Sequence, residues 1–162
     1  MAPPSSSGES SDVNSLRLTH ALWQLDKALN RTMDEALQPL KLTRNQFGTL
    51  NRLMAEGALS AADLARASEL RPQTIAATIN GLLERGLIER RPHPVHGRVL
   101  LVSVTEQGYA LWKEADARVS SIDDRLRSVL GKADFRDMKD RAWVLVKELG
   151  GSTGTATPLW RS

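Results

Sequence analysis

The chain has 162 residues, 41% of them hydrophobic, enough for one domain with a substantial core and too few for two comfortable ones. It contains no cysteine, which excludes disulfides, thiolate metal sites and thiol-based redox chemistry. The formal charge is only +3, so where the arginines sit matters more than how many there are.

In chain order, the segment "MAPPSSSGESSD" (1–12) is too poor in apolar residues to offset the entropy of ordering and is read as a disordered tail, as is 150–162 at the other end. The first segment has neither the basic start nor the apolar core of a secretion signal. No run reaches the roughly eighteen apolar residues of a membrane helix. A cytoplasmic protein with no membrane partner is expected, organised as a single unit over 13–149.

Apolar residues at Leu18, Leu22, Leu25, Leu29, Met33 and Ala36 keep a helical period that must stop before Pro39. In "LTRNQFGTLNRL", Thr43 and Gln46 form a capping box ahead of Phe47, Leu50, Leu53 and Met54. "LSAADLARASEL" opens in the same way on Ser60 and Asp63, and predicts a helix of about two turns. "RPQTIAATINGLLERG" places Pro72 where a first-turn proline is tolerated, with Ile75, Ile79, Leu82 and Leu83 facing inward and Gly86 as the stop. Two short helices joined by a tight turn make a helix-turn-helix.

"LIERR" and "RVLLVSV" flank a Pro/Gly loop and predict a hairpin directly after that motif, in the position of a wing. Thr105 then caps a helix with apolar residues at Trp112, Ala115, Val119, Ile122, Leu126 and Val129. The last helix carries Phe135, Met138, Ala142, Leu145 and Leu149. A repeat averaging about 3.5 residues is the seam of helices that pack side by side. The expected fold is mainly α with a small β-hairpin wing: a winged helix-turn-helix over 43–105 between terminal helices at 13–38 and 106–149.

Opposite its apolar stripe, the second helix of the motif carries Gln73, Thr74, Ala77, Thr78 and Gly81, with Arg71 at its entrance. Small residues let such a helix sink into a major groove, where Arg and Gln can read base edges. Arg98 follows Gly97 at the hairpin tip, with Arg90 and Arg91 at the base, suited to a minor groove of strong negative potential. Between Arg85 and Arg98 the arginines at 85, 90, 91 and 98 stand against Glu89 alone, a local net of +3. The bland alternatives are an ordinary polar surface helix and a solvated basic turn.

His93 and His96 form a two-histidine pair without a third ligand nearby in sequence, so no metal is expected. His20 stands alone on the first helix, and no GxSxG, glycine-rich phosphate loop or HExxH is present. Neither catalysis nor a cofactor is expected.

The segments "TIAATINGLLERGLIERR…GRVLLVSVTEQGYAL" and "LTRNQFGTLNRL" together resemble the multiple-antibiotic-resistance regulator (MarR) family of bacterial transcription factors, over roughly residues 15–148. Two departures stand out. The family's wing aspartate is replaced by His96, while the wing arginine persists as Arg98 and the following Leu-Thr reads Val104-Thr105. An arginine common in the family's recognition helix is replaced by Ala77, which shifts base reading toward Arg71, Gln73 and Thr74.

The resemblance implies a homodimer built from the first and last two helices, bound to double-stranded DNA, and a repressor relieved by a small ligand. It also implies a pocket between the dimerisation helices and the DNA-binding lobe. His20, Trp23, Phe47, Asn51 and Met54 are placed to line it around an aromatic or phenolic effector, though Trp23, Phe47 and Met54 are each better read as plain core. The alternative function is a winged-helix protein-interaction module without specific DNA binding.

Overall fold

A computed structural model describes residues 17–95 and 97–151. The tails expected at 1–12 and 150–162 lie outside them except for positions 150 and 151, as does His96. Helix α1 spans Leu18–Leu37 and runs into a short 3-10 turn, Gln38–Leu40, that ends on Lys41 at φ +52. Helix α2 spans Arg44–Glu56 and opens on the full Thr43/Gln46 capping box. Ser60 and Asp63 form the second box ahead of α3, Ala61–Ser68. Helix α4 spans Pro72–Glu84 with proline in its first turn. The starts of α2 and α3 follow a local rule: the cap oxygen takes one of the amides that have no partner within the helix.

The hairpin is β2, Ile88–Pro92, and β3, Leu100–Val104, antiparallel with Ile88 opposite Val104 and Arg90 opposite Val102. A strand absent from the sequence reading joins it: β1, Leu59–Ser60, pairs with the other edge of β3, Leu59 opposite Val102, giving the order β1-β3-β2. Two residues carry too little alternation to be seen in a sequence. Thr105 caps α5, Glu106–Leu130, and α6, Lys132–Glu148, follows across Gly131 at φ +82.

The core lies almost wholly within the winged helix-turn-helix lobe, around Leu50, Leu59, Leu64, Ile75, Leu82 and Val102. The α5 start is seated on it closely: a Cβ on Gly108 would lie 1.9 Å from the Leu87 carbonyl oxygen, so only glycine fits. Of the outer helices, α1 buries only Leu37 and α6 buries nothing, while Leu22, Leu25, Leu29, Leu126 and Val129 stay exposed, Val129 by 84%. The α1 seam, the end of the α5 seam from Leu126 and most of the α6 seam are therefore left without a cover by this single chain, while Ala115 and Ile122 of α5 are buried. No helix among the described residues is long and apolar enough to cross a membrane.

Candidate nucleic-acid interface

The turn before α4 is made by Glu69 at φ +51, with the Leu70 amide returning to the Ala65 carbonyl at 3.2 Å. Arg71 then takes extended backbone and offers no side-chain cap, so the amides of the first turn face outward. Ile75, Ile79 and Leu82 are sealed in the core, and Gln73, Ala76, Ala77 and Asn80 occupy the opposite, exposed face, with Arg71 exposed at its head. Thr74 is half-buried at its edge.

Two residues expected on that face belong elsewhere. Thr78 is only 7% exposed, and its hydroxyl donates to the Thr74 carbonyl at 2.8 Å. Three residues after Ile75, it falls about 60° from the apolar stripe of a helix with 3.6 residues per turn, on the inner flank. Gly81 turns toward α2, where a Cβ would meet Gln46 Nε2 at 3.0 Å; its smallness serves helix packing and not a groove. Asn80, passed over in the sequence reading, sits one turn beyond Ala77 and could have been found from that spacing.

Asn80 also joins the helix to the wing: Arg90 Nη2 donates to its Oδ1 at 3.1 Å. Arg91 pairs with Glu89 at the surface, where both side chains are largely hydrated and the pair contributes little to stability. The wing loop is closed by the His93 amide donating to the Val99 carbonyl at 2.8 Å, and the Val95 amide donates to His93 Nδ1 at 3.1 Å. This histidine, read only as half of a ligand pair, shapes the loop; the other half, His96, is outside the described residues. Arg98 is exposed and borders a groove of about 610 Å³ between the wing and the start of α3.

Of the five residues proposed for an effector pocket, His20 and Trp23 lie together on α1, while Phe47 and Asn51 are engaged elsewhere. Phe47 is 3% exposed and part of the lobe core. Asn51 accepts a hydrogen bond from Trp112 Nε1. Trp23 is 54% exposed on α1, with Lys27 Nζ 4.3 Å from its ring centroid and His20 beside it. Met54, on α2, is half-buried.

Two cavities of about 450 Å³ do form. One lies between α2, the turn after α3 and α6, bordered by Arg44, Thr49, Arg52, Ser68, Leu70 and Trp143. Thr49 is buried there, and its hydroxyl has no partner among the described residues. The other is apolar, lined by Leu25, Leu29, Leu126, Val129, Phe135 and Met138 of α1, α5 and α6.

Comparison with known proteins fits this geometry. A model of the MarR family matches residues 40–99. The chain is 37% identical over 106 residues to an HTH-type transcriptional regulator of Mycobacterium leprae, covering 65% of this chain and 73% of the relative. It is 32% identical over 122 residues to an HTH-type transcriptional repressor of Mycobacterium tuberculosis, covering 75% of this chain and 88% of the relative. Among solved structures, a MarR-family protein of Mycobacterium tuberculosis in complex with DNA superposes with a TM-score of 0.68 at 29% identity, covering 80% of this chain and 97% of that one. The complex of that family protein with salicylic acid gives a TM-score of 0.65 at 31% identity, covering 80% and 96%.

Proposed function

This chain belongs to the MarR family of transcriptional regulators, and from that footing we propose that it is a homodimeric repressor of a pseudo-palindromic operator, released by a small aromatic or phenolic ligand. The observation that carries the DNA-binding part is the outward face of α4. Gln73, Ala77 and Asn80 present hydrogen-bonding and small side chains, no bulky or acidic residue stands on the first two turns of that face, Arg71 stands at the head, and Arg98 is exposed on the wing. Two such helices in successive major grooves would lie about 34 Å apart, with the wings over the flanking minor grooves.

Dimerisation is supported by the uncovered seams of α1, α5 and α6. An apolar patch that joins Leu25, Leu29, Leu126 and Val129 around an open cleft is what a partner helix would fill. Residues 13–38 and 106–149 then serve dimerisation, and 43–105 serves DNA.

For the ligand, the cavity between α6 and the turn feeding α4 is the place to look first. Arg52 and Ser68 supply polar contacts, and the Trp143 ring supplies an apolar wall. The relative bound to salicylic acid makes an aromatic acid the first effector to try. A ligand that prefers a dimer with differently spaced recognition helices releases DNA by that preference alone.

The test is fluorescence anisotropy of the purified protein on DNA from upstream of its own gene, at two salt concentrations and against a scrambled competitor. Tight, salt-sensitive and competitor-resistant binding is expected, since phosphate contacts release counterions. Equal, weak binding to both DNAs would favour a winged helix turned to a protein partner.

A further inference from the structure

The last residue of the recognition element reaches back across the lobe. Arg85, which follows α4, donates from Nη1 to the Lys41 carbonyl at 2.7 Å and from Nη2 to the Leu40 carbonyl at 3.0 Å. These carbonyls close the 3-10 turn after α1, where the chain leaves the outer helix and enters the lobe. They are the unpaired acceptors of a helix end, and a rigid guanidinium fork fits two of them at once where an ammonium cannot. Lys41 itself holds a left-handed backbone, a conformation uncommon outside glycine.

The joint is gripped on its other side as well. Arg44, the first residue of α2, donates to Asp34 at 2.8 Å and to Asn30, both on α1. Arg44 thus fastens α1 to the start of the lobe, and Arg85 fastens the end of α1 to the recognition helix. Helix α1 otherwise packs chiefly on α5. Along this route the angle between α1 and α4 is set by the three-residue turn, the left-handed Lys41, the buried Leu37 and Leu42, the Arg44 contacts and the Arg85 fork, and of these the fork comes from the end of the recognition helix itself.

We infer that Arg85 is a positioning residue that locks the recognition helix to the end of dimerisation helix α1, and so narrows the range of half-site spacings the dimer accepts. This rests on the DNA-binding homodimer proposed above. Changing the distance between half-sites by one base pair moves one of them by about 3.4 Å and rotates it by about 35°. A lobe free to swing on α1 follows that displacement, whereas a lobe held by the fork does not. Because both donors of Arg85 are turned to carbonyls, its contribution is geometric and not a phosphate contact.

The experiment selects duplexes from a randomised pool with the wild-type protein, then measures affinity for the selected half-sites at spacings from three base pairs shorter to three longer. The same series is run with Arg85→Ala and Arg85→Lys, with salt titrations and thermal melts for all three proteins. Both variants should prefer the same half-site bases and keep the wild-type salt dependence. Their discrimination between the best spacing and its one-base-pair neighbours should fall by about fivefold, the low end of an ordinary coupling between sites. If Arg85→Ala does not stay folded, Arg85→Lys carries the comparison, since it keeps the charge and loses only the fork. An unchanged spacing profile overturns the inference. So does a uniform loss of affinity at every spacing with a shallower salt dependence, which is the signature of a phosphate contact. A wild-type chain that enriches no sequence overturns the regulator reading, and this inference with it.

Discussion

Trp112 Nε1 on α5 donates to Asn51 Oδ1 on α2 at 2.5 Å, across 61 residues of sequence. This bond joins the outer helix α5 to the first helix of the winged helix-turn-helix lobe within a partly buried contact. Removing either partner leaves the other with an unmet polar group, at a cost of roughly 1–3 kcal/mol. Asn51→Ala and Trp112→Phe should each lower the denaturation midpoint. The double variant should be destabilised by less than the sum of the two, because the second change removes a group already left alone. Strict additivity in urea titrations would show that the two side chains are not coupled.

Arg71→Ala and Arg98→Ala probe the two halves of the proposed interface. Loss of a base contact by Arg71 should weaken binding by about 1–3 kcal/mol and relax preference at one operator position. Loss of a backbone or minor-groove contact by Arg98 should weaken all sequences alike and reduce the salt slope by about one. Anisotropy across a panel of single-base operator variants separates these outcomes. If neither substitution changes affinity, the assignment of contacts fails.

Thr78→Val gives the complementary control. Its hydroxyl is bonded to the Thr74 carbonyl on the buried flank, so operator affinity should stay within about twofold. Gln73→Ala, on the exposed face, should broaden base preference instead. A large affinity loss from Thr78→Val with an unchanged melting curve would put Thr78 back in the interface.

The open apolar seam predicts association. Leu29 and Val129 border the same cleft, and Leu29→Asp with Val129→Asp places charge where a partner helix must pack. Light scattering should report a monomer, with the lobe still folded because its core does not include either residue. Operator affinity should fall by about 100-fold or more, since two half-sites are then no longer engaged as one linked event. A variant that still runs as a dimer at micromolar concentration would rule out this seam as the interface.

Gly108 sits where a Cβ would be 1.9 Å from the Leu87 carbonyl oxygen, itself the acceptor of the Thr105 amide at 3.1 Å. Gly108→Ala must push α5 off the wing base, at a cost of about 3 kcal/mol. Thermal unfolding should show a clear drop in midpoint. A melting curve matching the wild type would mean that the helix start accommodates the methyl group by moving freely.

Much of this protein was legible in the sequence because much of it is local. The Thr43/Gln46 and Ser60/Asp63 boxes, the Thr105 cap and the first-turn Pro72 all work through atoms three or four residues apart, so their spacing determines them. The wing and its Arg98 follow from β-branched runs around a turn, and the order of elements then pointed to the family. What joins distant segments was decided only in three dimensions. The strand Leu59–Ser60 exists because β3, far along the chain, offers it an edge, Leu59 opposite Val102 and Ser60 opposite Leu101. Asn51 is claimed by Trp112, and Arg85, counted in the sequence as part of a basic patch, spends its donors on Leu40 and Lys41. Phe47 and Trp23 part for the same reason, one in the lobe core and one exposed on α1: periodicity tells which side of a helix is apolar, while only packing tells which helix that side meets.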